Sequence, residues 1–217
     1  MVNIEYYTKI LFNEETGKER YSLIQKEAVK IYSENNIEYC WDFAIECYSC
    51  EIYYIQALGV YIFGLIGNQK ALLYIKNIVS KNPAWQVQEF LAMAFDNYCR
   101  QNGYENSIAI IREWMGDQNA NIRRAVIEGL RIWTKRPYFK DNPEFTIDLL
   151  SELKYDESEY VRKSVGNALK DISKEFPELV KKELNHWALD TKNVKQVYKL
   201  ANKFLILGSH FECPINS

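Results

Sequence analysis

Along most of this chain apolar residues return every three or four positions, the spacing that gathers them on one side of a helix. Between Trp85 and Asp171 the pattern itself returns. The stretches Ala84-Trp85-Gln86-Val87-Gln88-Glu89-Phe90-Leu91, Arg123-Arg124-Ala125-Val126-Ile127-Glu128-Gly129-Leu130 and Arg162-Lys163-Ser164-Val165-Gly166-Asn167-Ala168-Leu169 superpose with a shift of 39 residues each time. In the middle copy Ile122, Val126, Leu130 and Trp133 make an apolar stripe, and Val161, Val165, Leu169 and Ile172 repeat it in the last copy. The polar side repeats as well. At 3.6 residues per turn Trp85 shares a face with Glu89, Arg124 with Glu128, and Lys163 with Asn167 and Asp171.

A period near 40 built from paired helical segments predicts an all-α, HEAT-like helical-repeat solenoid, because one such pair cannot bury its apolar face alone. The expected elements follow in order. Residues 1–19 read as a polar lead-in with a turn at Asn13-Glu14-Glu15-Thr16-Gly17. Helices are expected at Glu19–Tyr32, Tyr39–Cys50, Ile52–Ile66 and Ala71–Ser80. The third is rich in strand-favouring residues, yet it has helical neighbours and no evident strand partner. Asn82-Pro83 is a helix start for the segment with Trp85 and Glu89. Further helices are expected at Asn106–Met115, Ile122–Trp133, Phe145–Leu153, Glu159–Ser173, Pro177–His186 and Val194–Leu205. A loop is expected at Thr134–Pro143, and fraying after Gly208. The segments at Trp85, Ile122 and Val161 would line one concave face of a right-handed array of about five or six helix pairs, a single domain over residues 1–217.

The 217 residues, 47% of them hydrophobic, suffice for one such core. Charge changes the picture more. Against a net charge of −2, residues 119–217 carry 17 Lys plus Arg and 14 Asp plus Glu, a balance of +3 that leaves −5 on residues 1–118. The repeat half is therefore biased towards anionic partners. No apolar run reaches membrane-spanning length and the first residues lack the character of a signal peptide, so a cytoplasmic protein without membrane association is expected. Cys40, Cys47, Cys50, Cys99 and Cys213 form no disulfide framework. Cys47-Tyr48-Ser49-Cys50 has the spacing of a zinc or redox half-site, but there is no second such pair and His186 and His210 lie far off. Buried thiols, with no metal or cofactor, are the expectation.

Three stretches resemble the HEAT-like DNA glycosylases of alkylation repair, a family with AlkD-type and AlkC-type branches. The resemblance covers roughly residues 50–205. Trp85-Gln86-Val87-Gln88-Glu89-Phe90 is similar to the AlkD-type segment in which a Trp and a carboxylate four residues on form the catalytic pair. Glu113-Trp114-Met115-Gly116-Asp117-Gln118-Asn119-Ala120-Asn121-Ile122-Arg123-Arg124, with Glu128-Gly129, is similar to an AlkC-type segment whose Glu-Gly belongs to the active site. Ser158-Glu159-Tyr160-Val161-Arg162-Lys163, continuing to Asn167 and Asp171, is similar to both branches, and Asp171 matches the AlkC-type acidic position. Asn167 stands where the AlkD branch has a second Trp that stacks on the lesion nucleotide, and Ala168 where AlkC-type sequences have His.

The resemblance implies excision of N3- or N7-alkylated, cationic purines from double-stranded DNA by a monomeric protein. Glu89, Trp85, Glu128 and Asp171 would be the catalytic set, and Arg123, Arg124, Arg131, Lys163, Asn167 and Trp133 the DNA contacts. An alkylated purine is positively charged, which weakens its glycosidic bond, and its departure leaves an oxocarbenium-like sugar that a nearby carboxylate stabilises. Simpler readings stand beside this one. Glu128 following Arg124 by four is also an ordinary ion pair, Trp85 a core residue, and Asp171 a bridge to Lys163, Lys170 or Lys174. The family also includes members that bind branched or distorted DNA without excision. A HEAT scaffold for another protein would instead present an apolar groove.

Overall fold

The computed structural model describes residues 2–13, 18–19, 21–131 and 133–208, and the chain divides into two compact units, Met1–Ile111 and Arg112–Ser217. Among the described residues strand is limited to a two-residue antiparallel ladder, and all other regular structure is helical. No described helix is long and apolar enough to cross a membrane.

The first unit begins with a helix where a polar lead-in is expected from the sequence. Helix α1 (Ile4–Leu11) is capped by Asn3, whose side chain accepts from the Tyr6 N–H at 3.0 Å, and it buries Leu11. Strands β1 (Phe12–Asn13) and β2 (Lys18–Glu19) pair next. Of the expected turn, Glu14 to Gly17 lie outside the described residues, as do Ile132, His210, Cys213 and the tail after Gly208. Then come α2 (Tyr21–Glu34), α3 (Ile37–Tyr48), α4 (Tyr53–Ile66), α5 (Gln69–Asn77), a 3-10 turn at Val79–Lys81, and α6 (Trp85–Asn102). α4 is helical despite its β-branched and aromatic residues because α2, α3 and α6 all pack on it, burying nearly its whole circumference. The approach to α6 is close: a Cβ at Gly64 would stand 2.5 Å from Ala94 Cα, which no side chain can occupy without moving backbone. Gly67, with φ at 59°, ends the helix in the left-handed region.

The unit boundary falls within α7 (Ile108–Met115). The second unit continues with α8 (Ala120–Gly129), a 3-10 turn at Trp133–Lys135, α9 (Pro137–Asp141), α10 (Pro143–Ser151), α11 (Glu159–Ile172), α12 (Pro177–Asn185), α13 (Lys192–Ala201) and α14 (Lys203–Gly208). Two expectations are corrected here. α8 ends at Gly129 rather than running to Trp133, and the expected loop at 134–143 is largely helical, because Trp133 and Phe139 turn inward and stack edge to face in the core. α11 is the central element. Val161, Val165, Leu169 and Ile172 are buried along it, and it packs against α8 on one flank and α13 on the other.

Candidate nucleic-acid interface

In the first unit the start of α6 is fixed by two side-chain amides, half-buried Asn82 and buried Gln88. The Asn82 side chain accepts from Ala84 N–H at 2.9 Å and donates to Tyr48 Oη and Gln56 Oε1. Buried Gln88 donates to the carbonyls of Val79 at 3.0 Å and Asn82 at 2.8 Å. The helix therefore starts two residues later than Asn82-Pro83 suggested. With Val87, Phe90 and Leu91 buried, Trp85 is left outside at 62% exposure, and Glu89 is half-buried one turn on. Trp85 is thus no core residue, whereas Trp114, Trp133 and Trp187 are all buried.

The second unit carries two polar systems. At the turns before its inner helices, Arg123 Nη1 donates to the carbonyls of Asp117 and Gln118 at 2.7 and 3.0 Å, and Arg162 Nη1 repeats this 39 residues on with Asp156 and Glu157 at 2.7 and 2.9 Å. Arg123 also grips the Asp156 carboxylate with two hydrogen bonds of 2.6 and 2.8 Å, and that pairing raises its already high proton affinity. The two side chains are 14% and 4% exposed. Arg123 is therefore a staple between repeats and is corrected as a DNA contact. Trp133, fully buried, is corrected likewise. The signal was available in the sequence: Asp117, Asn119 and Arg123 recur as Asp156, Ser158 and Arg162, again at a shift of 39.

The other system lies on the polar face. Ser164 Oγ donates to Glu128 Oε1 at 2.6 Å. Arg131 reaches Glu128 Oε2 at 3.5 Å and Asp171 Oδ2 at 3.4 Å, and Lys174 Nζ is 2.7 Å from Asp171 Oδ1. The structure thus brings Glu128, Arg131 and Asp171 together. Burial pushes the Asp171 carboxyl up, but the hydrogen bond from Lys174 and the charges of Lys174, Lys170 and Arg131 outweigh it and hold the group below the usual range. Lys163 is paired with Glu159 at 2.6 Å, and Asn167 accepts from Lys170 at 3.2 Å. Arg124 is half-buried on α8 one turn before Glu128. Tyr160, 72% exposed one turn before Lys163, joins this face together with Lys170 and Lys174. None of these three was among the expected contacts, although Tyr160 and Lys163 share the i, i+3 spacing.

Such a face can do two things chemically. Cations on adjacent helices bind phosphates, and carboxylates between them oppose a positive charge on a bound base or sugar. Of the described thiols, Cys47 is buried and its pKa is pushed up by that burial, and Cys99 is pushed up to about 12 chiefly for the same reason, which keeps both uncharged.

A family model described as DNA alkylation repair enzyme matches residues 19–201. The chain is similar to AlkD2 from Streptococcus mutans, at 44% identity and a TM-score of 0.87 over 92% of this chain and 97% of that one. It is also similar to smu.31 from Streptococcus mutans UA159, at 46% identity and a TM-score of 0.83 over 85% and 92%. Alkylpurine DNA glycosylase AlkC from Pseudomonas fluorescens, solved bound to DNA containing an abasic site analog, shares the fold at 22% identity, with a TM-score of 0.61 over 79% of this chain and 48% of that one. YhaZ, an uncharacterized protein of Bacillus subtilis strain 168, is 41% identical over 87 residues, 38% of this chain and 24% of that relative, so about a quarter of its length is matched.

Proposed function

Because the chain belongs to the DNA alkylation repair family, we propose that it excises N3- or N7-alkylated purines from double-stranded DNA by hydrolysing the N-glycosidic bond, with Glu89 as the principal carboxylate. The observation that carries this reading is Trp85, held at 62% exposure at the first turn of α6 with Glu89 one turn behind it. An exposed indole is poorly accounted for by packing. Against a cationic base or sugar its face contributes about 0.5–2 kcal/mol. The positive charge on the sugar grows only as the base leaves, so the Glu89 carboxylate acts on the transition state more than on binding. Glu128 and Asp171 take a supporting role here, because Arg131 already opposes both. In this reading Arg124, Arg131, Lys163 and Asn167 hold phosphates, and the protein acts as a monomer in the cytoplasm.

The test is release of 3-methyladenine and 7-methylguanine from methylated DNA by the purified protein. Glu89→Gln keeps shape and removes charge. It should bind DNA within a few-fold of wild type while excision falls by roughly two orders of magnitude or more, the scale of losing one preorganised electrostatic group. One observation favours a second reading, a protein that holds distorted DNA without excision: Asn167, bonded to Lys170, stands where the AlkD-type stacking Trp is expected. Wild-type protein that binds DNA and releases no base would select that reading.

A further inference from the structure

α13 carries a charged stripe that the functional reading leaves unused. Val194, Val197 and Ala201 face the core, and Lys192, Lys195 and Lys199 are exposed on the opposite side, with exposed Lys203 following beyond Asn202. The sequence contains no acidic residue between Asp190 and Glu212. On and just past α11, by contrast, Lys163 and Lys174 each have a carboxylate within reach.

The contacts between α11 and α13 fix where this stripe lies. Arg162 Nε donates to Gln196 Oε1 at 2.8 Å, and a Cβ on Gly166 would stand 2.6 Å from Leu200 Cβ. Residues 162 and 166 therefore meet 196 and 200 in the same order, so the two helices run parallel and in step. Each presents the side opposite its core to the same surface. On α11 that side holds Tyr160, Lys163 and Asn167, with Lys174 following just past its end, and on α13 it holds the lysines. Lys192 to Lys199 span about 10 Å at 1.5 Å per residue, roughly three base-pair steps of duplex axis.

We infer that the α13 lysines bind the sugar-phosphate backbone of a duplex flank, extending the nucleic-acid surface of α8 and α11 by one helix; the inference rests on the DNA-repair reading above. A lipid surface fits less well. A membrane-bound helix would expose apolar residues beside its cations, and the apolar residues of α13 face the core. Contacts of this kind are independent of sequence and position the protein on the duplex.

Binding of the full chain to an unmodified duplex, in long and short forms, measured from about 50 to 200 mM salt, tests it. The Lys192→Gln, Lys195→Gln, Lys199→Gln variant should bind the long duplex at least about tenfold more weakly at low salt, with a salt slope smaller by roughly two to three. The gap should narrow on the short duplex. Arginine at the three positions should restore affinity, and circular dichroism should match wild type throughout. A variant whose slope equals that of a DNA-binding wild type overturns the stripe and leaves the DNA reading standing. A wild type without salt-dependent duplex binding overturns both. Loss of binding to phosphatidylglycerol vesicles, with duplex binding intact, would assign the lysines to a lipid surface instead.

Discussion

Two sets of arginine–carboxylate contacts lie at the two ends of the α8–α11 packing in the second unit, and they differ in distance and burial. Arg123 meets Asp156 through two short bonds, with both side chains mostly covered and two further guanidinium hydrogens taken by turn carbonyls. Arg131 meets Glu128 and Asp171 at 3.5 and 3.4 Å and is 44% exposed. The residue types are the same, but the environment assigns different work. A covered, bidentate pair fixes the spacing between repeats, and breaking it leaves a charge stranded. A loose, wet pair contributes little to folding and can exchange its partner for a phosphate.

The largest expected effect separates the two carboxylates. Asp156→Ala should destabilise the protein by about 3 kcal/mol, the lower end for a covered pair, and lower Tm by roughly 6–12 °C. Asp156 also accepts from Ser158 N–H at 2.8 Å, so the entry to α11 loosens with it. Asp171→Asn should cost under about 1 kcal/mol. Equal losses in a thermal melt would break the comparison. Next in size is the effect on DNA. The Arg124→Ala, Arg131→Ala, Lys163→Ala variant should bind duplex about 10- to 100-fold more weakly across sequences, with its salt slope reduced by two to three. A salt-independent affinity, or one unchanged in the variant, would remove the polar face from the interface.

The fold was legible where the helical period and the 39-residue register acted together. The helices at 85, 122 and 159 were placed within a few residues, and even the strand-rich 52–66 segment read correctly from its neighbours. What failed were short elements governed by local capping or by tertiary contact. α1 needed Asn3 as a cap rather than lead-in, and the segment after Gly129 needed the inward turn of Trp133 and Phe139. The candidate site was legible only as a set of positions. Glu128, Arg131 and Asp171 were named from sequence, and the structure brings them together. Arg123 was misassigned because adjacent arginines look alike in sequence, whereas on the helix they point about 100° apart. The α13 lysines fall outside the 39-residue register because their copy of the repeat is packed at a shift of 34 residues.

A smaller effect sharpens the comparison through pH. Asp171 is held below the usual carboxylate range, so its pairing contributes stability above the unfolded pKa of about 4 and loses it as pH falls through the lower folded value. Urea unfolding of wild type and Asp171→Asn should therefore differ at pH 7 by a fraction of 1 kcal/mol, discounted because its partners are half in solvent. The difference should close towards pH 3. A gap that persisted at low pH would mean that Asp171 acts through shape rather than charge.

The smallest change in stability is expected at Lys163. Its ammonium pairs with Glu159 at 2.6 Å, and both side chains stand more than half in solvent. Water screens such a pair and two long side chains must be ordered to keep it, so Lys163→Ala should leave Tm unmoved. The charge is still available to a phosphate, whose field is stronger than that of one solvated carboxylate because the duplex is a dense line of anions. The same variant should lower duplex affinity uniformly across sequences and reduce the salt slope by about one. A Tm loss comparable to that of Asp156→Ala would show that Lys163 is a staple like Arg123. An unchanged slope would place the DNA elsewhere on the unit.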